Sequence, residues 1–551
     1  MYFKIIFIAI FCLAIFSRVH NIDVRPMHGD EANQAYRFQL LHEKSIPIYD
    51  ARDYHGPTLY YAMRPLAWLS GKDYRELDKS DYRLLTTIFS LLSILLCLAF
   101  KDALGSIPTL ALAFFMAISP ANVFYSTYFI QESLLICFTL AFFACAWHFR
   151  QSLIQKNQKN SRLYTIGIGL AIGLMIATKE TSVFVFMAFG IALFFFQFKS
   201  KIPLKKIKEQ QRNLIYAALA MIFVYTLFYS SFGSNPKGVI EPFKAISTHI
   251  QRGLGSSDLP KNTTAGAAHT KPFNYYAYLL IGSWTKSFNE LAETDINQRS
   301  RSPQKIIKSI WRNQPSRPIN ELFLCALALL GSLFILLKKE DSPLSLFCLI
   351  YTLSIFLIYS LIPYKTPWCV LSILLGLYFL AAYAIKVLLV KFSSVKSQVI
   401  IFSLLALCSI DLIRQNILLS DLISTKNPYA YAHPVFNIED LNQQVDDIAF
   451  SSDLNYNLPI HFITHDYWPL PWYLRKYNKV AYWDHSRPST QLSELPIIIY
   501  STENQALSDE LASTHTSSLY GLRTATHLNL ACRNDLWQQL LKQRENLGPH
   551  L

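Results

Sequence analysis

The chain has 551 residues, 52% of them hydrophobic and only 16% charged, a balance too apolar for an ordinary soluble enzyme of this length. The formal net charge is +14, but the Lys and Arg residues are scattered over many short segments, which speaks against a nucleic-acid partner needing one basic face.

A helix of about 17 to 25 apolar residues crosses a bilayer core, and about eleven such stretches are found in the first 420 residues. They are predicted near 3–20, 82–100, 103–120, 130–149, 163–178, 181–198, 213–232, 320–337, 343–361, 368–390 and 397–418. The first has the look of a signal peptide, with Lys4 before a compact apolar run. No small-residue cleavage site follows, however, and Arg18 closes the run, so it reads as an uncleaved anchor. An N-terminus in the cytoplasm puts Lys101, Arg150, Lys156, Arg162, the cluster from Lys199 to Arg212, Lys338, Lys339, Lys391 and Lys396 on inside loops, as the positive-inside rule requires. Segments 21–81 and 233–319, and everything after about 420, then lie outside. Eight of the nine cysteines fall in or at the edge of spans, and only Cys532 is aqueous, so neither a disulfide framework nor a metal-type cysteine pair is expected.

The charged residues of the outer face come next. Asp30 and Glu31 follow the first span; adjacent carboxylates repel, which raises one toward a base-like pKa, or else they are acids at a helix N-terminus. The segment Asp53-Tyr54-His55-Gly56-Pro57 is a turn leading into Tyr60, Tyr61, Arg64 and Trp68, which suits a helix at headgroup level with His55 facing the membrane surface. Glu132 enters an apolar stretch, where an acid is expensive unless it meets a wet cavity or a partner; the alternative is an acid snorkelling to water. Lys179, in Thr178-Lys179-Glu180-Thr181, and Lys365, in Pro363-Tyr364-Lys365-Thr366-Pro367-Trp368, oppose the charge bias of short outer loops. Either a phosphate at the outer leaflet attracts them, or Lys179 pairs with Glu180 while Lys365 snorkels.

The acids, His55 and the two lysines together suit one reaction. A carboxylate takes a proton from an acceptor, the acceptor attacks a sugar's anomeric carbon, and the lysines neutralise a departing lipid phosphate. The insertion 233–319, with a Gly, Ser and Thr-rich stretch from Gly253 to Ala268, reads as a mobile loop. The tail 421–551 alternates short apolar runs (448–450, 461–463 and 496–500) with helix-like stretches from Glu503 to Ala512 and from Asn534 to Arg544, as expected of a small soluble α/β domain. His465-Asp466-Tyr467-Trp468 and Trp472-Tyr473 are either a carbohydrate-binding aromatic surface or core. No glycine-rich nucleotide fingerprint is present, which speaks against a nucleotide-sugar donor.

His28-Gly29-Asp30-Glu31-Ala32, Tyr54-His55-Gly56-Pro57, Tyr128-Phe129-Ile130-Gln131-Glu132 and Thr178-Lys179-Glu180-Thr181 occur in that order. In these motifs the chain resembles the GT-C membrane glycosyltransferases, and more narrowly the flippase-activity-associated branch. That branch is related to the protein O-mannosyltransferases (dolichyl-phosphate-mannose-protein mannosyltransferases) and to the aminoarabinose transferase. The resemblance covers most of residues 1–420.

It implies an α-helical polytopic GT-C domain over 1–420 with a soluble extracytoplasmic domain over 421–551, in the inner (plasma) membrane. It implies a hexosyltransferase that uses a polyprenyl-phosphate-linked sugar donor among membrane lipids and delivers to a glycan, lipid or protein acceptor. On that resemblance Asp30 is the catalytic base, Glu31 and Glu132 position acceptor or donor and complete the catalytic set, and Lys179 contacts the lipid phosphate; the outer-face reading adds His55, Arg64, Glu180, Tyr364, Lys365 and Trp368 as substrate-binding candidates. Gly56 departs from the O-mannosyltransferases, which more often carry a second proline there, and this weakens the carry-over of their protein-acceptor specificity. No cofactor is called for, since lysines can neutralise phosphate, and a divalent cation is left open. The rival reading is a non-enzymatic glycan-lipid binder assisting a flippase, or a transporter; it has no need of the Asp30 and Glu31 pair.

Overall fold

The computed structural model describes residues 2–43, 49, 55–199, 211–244, 270–282, 319–337, 343–419, 422–423, 427–483, 488, 490–524 and 526–547. Asp53, Tyr54, most of the 233–319 insertion, and the basic residues at 201–208 and 338–339 lie outside the described residues. The chain forms two compact units. One holds Met1–Ile22, Lys44–Leu66 and Asp81–Tyr429; the other holds Asp23–Glu43, Ala67–Ser80 and Ala430–Leu551.

The first unit is an α-helical membrane domain, and each of the eleven expected stretches falls on a helix. Among the described residues seven helices are long and apolar enough to span, or eight if the bent pair Ser106–Ile118 and Pro120–Ser126 is one span. The helix Gln158–Ile176, which carries Lys159 and Arg162 in its first turns, is not one of them. It packs between Glu132–Ile154 and Gln211–Tyr229. A Cβ on Gly169 would lie 2.1 Å from the Ala217 carbonyl oxygen, so this helix pair approaches through small residues, as membrane helices do. The span Pro367–Lys391 is central and mostly buried, whereas Val395–Ile417 is mostly exposed and presents its apolar side chains to lipid.

The bent pair has a legible cause. Pro120 pushes Ser119 out of the helical region, to φ −62° and ψ 122°, so the helix stops and a new one starts with proline in its first turn, at 59° to the first. The carbonyls orphaned by the break find side-chain donors. The fully buried Arg18 guanidinium donates to Met116 O at 2.9 Å and Ala117 O at 3.1 Å. Asn416 donates to Ile118 O at 2.7 Å. On the other side of the break the buried Glu321 carboxylate accepts from the Ser119 hydroxyl at 2.6 Å and from the Ala121 amide at 2.9 Å, serving the new N-terminus.

The second unit contains a five-stranded mixed sheet: β1 (Ile460–Ile463), β2 (Val480–Tyr482), β3 (Ile497–Ser501), β4 (His515–Arg523) and β5 (Thr526–Arg533), in the order β2-β1-β3-β5-β4. The parallel β2-β1-β3 part continues into an antiparallel β3-β5-β4 part. The strands expected at 461–463 and 496–500 and the two expected helices are present. The run Ile448-Ala449-Phe450, expected as a strand, instead lies in the helix Asn437–Ser451. There Ile438, Leu441, Val445, Ile448 and Ala449 recur at three- and four-residue intervals and are buried. Trp472 and Tyr473 are core, 4% and 9% exposed, and do not form a surface platform. The Tyr473 hydroxyl accepts from the Met27 amide and donates to Glu439.

Candidate functional site

In the membrane unit the sequence-predicted residues gather at the loops that join helices. Lys179 sits in the short segment between Gln158–Ile176 and Ser182–Lys199 and is 5% exposed. Its ammonium is bonded to the carboxylate of Glu132, the first residue of the helix Glu132–Ile154, itself 4% exposed. Glu132 therefore does not snorkel, and Lys179 pairs with it and not with its neighbour Glu180. Burial pulls the Lys179 ammonium toward deprotonation, but Glu132, assisted by Glu180, outweighs that and holds it charged, with its pKa raised.

The Trp368 ring lies 5.9 Å from the Lys179 nitrogen, within cation–π range. Trp368 belongs to the short turn Pro367–Cys369 that opens the central span, and Tyr128 packs against it at 6.2 Å. A small cavity is enclosed here by Glu132, Thr181, Tyr359, Trp368, Cys369 and Ser372, with Leu135, Ile136 and Leu371 as its apolar wall. The second carboxylate oxygen of Glu132 is buried without a hydrogen-bond partner among the described residues. A buried, unsatisfied acceptor beside a cavity marks a place where a polar ligand group or water is wanted.

Glu180 turns to His55, whose Nδ1 lies 2.8 Å from its carboxylate, each side chain about a quarter exposed (26% and 29%). The turn carrying His55 is clamped onto the end of Gln158–Ile176: the Thr58 amide and hydroxyl both donate to Ala177 O, at 3.1 Å and 2.6 Å. Gly56 makes the clamp possible, because a Cβ there would stand 2.0 Å from the same oxygen. Arg64 lies half-buried on the helix Thr58–Ser70 that follows.

Lys365 is 2% exposed, so it does not snorkel either. Its ammonium donates to the carbonyls of Ile362 and Lys271, the latter at 3.2 Å, and burial lowers its pKa. Tyr364, 38% exposed, pairs with Thr270 in an isolated bridge. Lys365 and Trp368 thus share one loop, with the lysine held by carbonyls where Lys179 is held by a carboxylate.

Asp30 and Glu31 belong to the second unit, in the first turn of the helix Gly29–Glu43. Glu31 is fully buried and accepts from the His28 amide at 3.1 Å, the reach-back half of a capping box. The His28 ring completes it: Nδ1 accepts from the Asp30 amide at 2.9 Å and Nε2 donates to Tyr431 O at 2.8 Å. That tautomer is neutral, in agreement with a pKa lowered by burial against the opposing pull of Asp30 and Glu31. The Asp30 side chain stays 51% exposed. The two neighbouring acids therefore divide: Glu31 closes the helix end and Asp30 is presented to solvent. The capping role of His28 is not legible in the sequence beyond the glutamate three residues on, because histidine lies outside the Ser, Thr, Asp and Asn set that marks a helix N-terminus. Among the described residues no group of three or more His, Cys, Asp or Glu side chains is placed to hold a metal ion.

Residues 8–231 match the family model described as dolichyl-phosphate-mannose-protein mannosyltransferase. No curated protein matches the chain. Among solved structures, ArnT from Cupriavidus metallidurans bound to undecaprenyl phosphate superposes with a TM-score of 0.59 at 14% identity, covering 97% of this chain and 98% of that one. The archaeal oligosaccharyltransferase AglB from Archaeoglobus fulgidus, in complex with an inhibitory peptide and a dolichol-phosphate, superposes with a TM-score of 0.52 at 12% identity, covering 93% of this chain and 71% of that one. The chain thus has the GT-C fold, and residues 8–231 carry the mannosyltransferase family match.

Proposed function

We propose that the chain is a glycosyltransferase that takes a sugar from a polyprenyl-phosphate carrier and passes it to an acceptor at the extracytoplasmic face of the membrane. The observation that carries this reading is Lys179, a buried ammonium at the head of apolar helices, fixed by Glu132 beside Trp368 and a cavity with an apolar wall. A pre-positioned cation in a water-poor site is what a leaving phosphate needs. The family match and the undecaprenyl phosphate and dolichol-phosphate bound by the ArnT and AglB neighbours support the same donor class.

In this reading a carboxylate, for which the family resemblance names Asp30, takes the proton of the acceptor hydroxyl. The freed oxygen attacks the anomeric carbon, the bond from that carbon to the phosphate oxygen breaks, and the electron pair leaves on the lipid phosphate. Lys179 and Lys365 offset the charge that accumulates there. Glu132 holds Lys179 in place, Glu180 orients His55 toward the sugar, and Arg64, Tyr364 and Trp368 bind headgroup and sugar. The mannosyltransferase match favours a hexose. The distribution of basic residues supports a plasma-membrane protein with its N-terminus in the cytoplasm and its C-terminal domain outside.

The test is transfer from radiolabelled polyprenyl-phosphate sugars by the purified chain, with Asp30→Asn and Lys179→Ala alongside. Transfer by the wild type, lost in Asp30→Asn with donor binding intact, is the expected result. Lipid binding without transfer to a broad acceptor panel, together with full cellular function of Asp30→Asn, would establish the flippase-partner reading in its place.

A further inference from the structure

The second unit carries a row of aromatic rings that the transfer chemistry does not use. Tyr36, on the helix Gly29–Glu43, meets Trp468 edge to face with ring centres 6.2 Å apart. Trp468 neighbours Tyr467 at 6.2 Å, and Tyr467 neighbours Tyr482 on the edge strand β2 at 4.7 Å. Tyr482 stacks on the fully buried Phe462 of β1 at 4.9 Å and 13°, so the row is anchored in the core. Its two ends are open, with Tyr36 41% and Tyr482 40% exposed. Three separate chain segments supply these rings, so no single amphipathic helix or strand accounts for the row.

Polar side chains flank it. Asp466, next to Tyr467, pairs with Arg523 at 2.6 Å while its own side chain stays 55% exposed. On the helix, Arg37 bonds Asn33, which lies one turn before Tyr36, at 2.5 Å. An apolar protein partner or a lipid surface would strip water from the Asp466–Arg523 pair and from Arg37 and offer no hydrogen bonds in return. A pyranose ring fits both features: its C–H face lies on an aromatic ring, and its equatorial hydroxyls reach carboxylate, amide and guanidinium groups.

We propose that Tyr36, Trp468, Tyr467 and Tyr482 form a saccharide-binding subsite and that the acceptor is therefore a glycan. The proposal rests on the transferase reading for the word acceptor, but the binding of sugar by this row stands apart from it.

The experiment measures binding of mannobiose, cellobiose and chitobiose to the full chain in nanodiscs, for wild type, Tyr36→Ala, Tyr482→Ala and Tyr482→Phe. Both alanine sites are exposed, and unchanged binding of undecaprenyl phosphate serves as the control for folding. Saturable binding of at least one disaccharide, weakened about tenfold in each alanine variant and retained in Tyr482→Phe, is expected. No saccharide binding, or equal binding in all variants, overturns the proposal. If sugar binding behaves as expected but no donor sugar is ever transferred, the subsite stands and the transferase reading fails. If transfer proceeds and the alanine variants transfer and bind like wild type, the transferase reading stands and the subsite fails.

Discussion

A single methyl group added at position 56 separates close packing from catalysis. In Gly56→Ala the new carbon would stand 2.0 Å from Ala177 O and 2.2 Å from its carbonyl carbon, and reaching ordinary contact at 3.4 Å requires the turn to retreat by about 1.4 Å. The obstacle is backbone, so no rotamer change relieves it. The retreat breaks both bonds from Thr58 to Ala177 O, each contributing about 0.5–1.5 kcal/mol, for a loss of about 1–3 kcal/mol. It also carries His55 away from Glu180, now 2.8 Å distant. Displacement by about 1 Å costs on the order of 100-fold in rate when the group positions substrate. The assay is single-turnover transfer from a polyprenyl-phosphate sugar, paired with a thermal melt. We expect a lowered melting temperature and a drop in rate about a hundredfold larger than for Ala67→Gly, a substitution in the helix that follows. An alanine variant that melts and transfers like wild type would refute the argument from close approach.

Removing one member of the buried pair in Lys179→Met leaves the Glu132 carboxylate uncompensated, so stability should fall by about 3–5 kcal/mol, while Glu132→Gln combined with Lys179→Met recovers most of it; a denaturation cycle in which the two changes simply add would contradict the pairing. His28 titrates with a sign fixed by its environment: its folded pKa is lowered from 6.5, chiefly by burial. Its contribution to stability is therefore present above the unfolded value and lost as pH falls from 6.5 through the folded pKa. The protection factor of the Asp30 amide, its exchange rate corrected for the intrinsic pH trend, should fall over that window, and His28→Asn, which still caps, should flatten the response. With lysines supplying the charge at the phosphate, transfer should survive EDTA; loss of rate restored by magnesium would assign that charge to a cation instead.

The eleven apolar stretches were legible because span length is a composition signal that needs no partner. The mixed sheet was half legible: β1 and β3 are short apolar runs, whereas the hairpin of β4 and β5 alternates polar and apolar residues with few strong hydrophobes and escaped notice. The segment 448–450 misled because three apolar residues in a row fit either period, and only the pattern extending back to Ile438 identifies the helix. At the site, sequence identified Lys179 and Glu132 as out of place, but of the two partners it offered Lys179, a phosphate or Glu180, neither is the side chain that meets the ammonium. Glu180 is adjacent in sequence, yet Glu132, 47 residues away, meets the ammonium. Adjacent residues on a tight turn diverge, and which distant side chain fills the gap depends on helix packing that no local pattern encodes.

The break at Ser119 has a consequence for how the chain is made. Arg18 and Asn122, which bond Met116 and Ala117 carbonyls, are synthesised before or just after the bend. Glu321 and Asn416, which complete it, are synthesised 202 and 298 residues later than their partners. During biogenesis the bend therefore waits half-capped in the membrane until the last third of the protein has been inserted. A chain that stalls or is truncated before Glu321 leaves the Ala121 amide and the Ser119 hydroxyl without that acceptor.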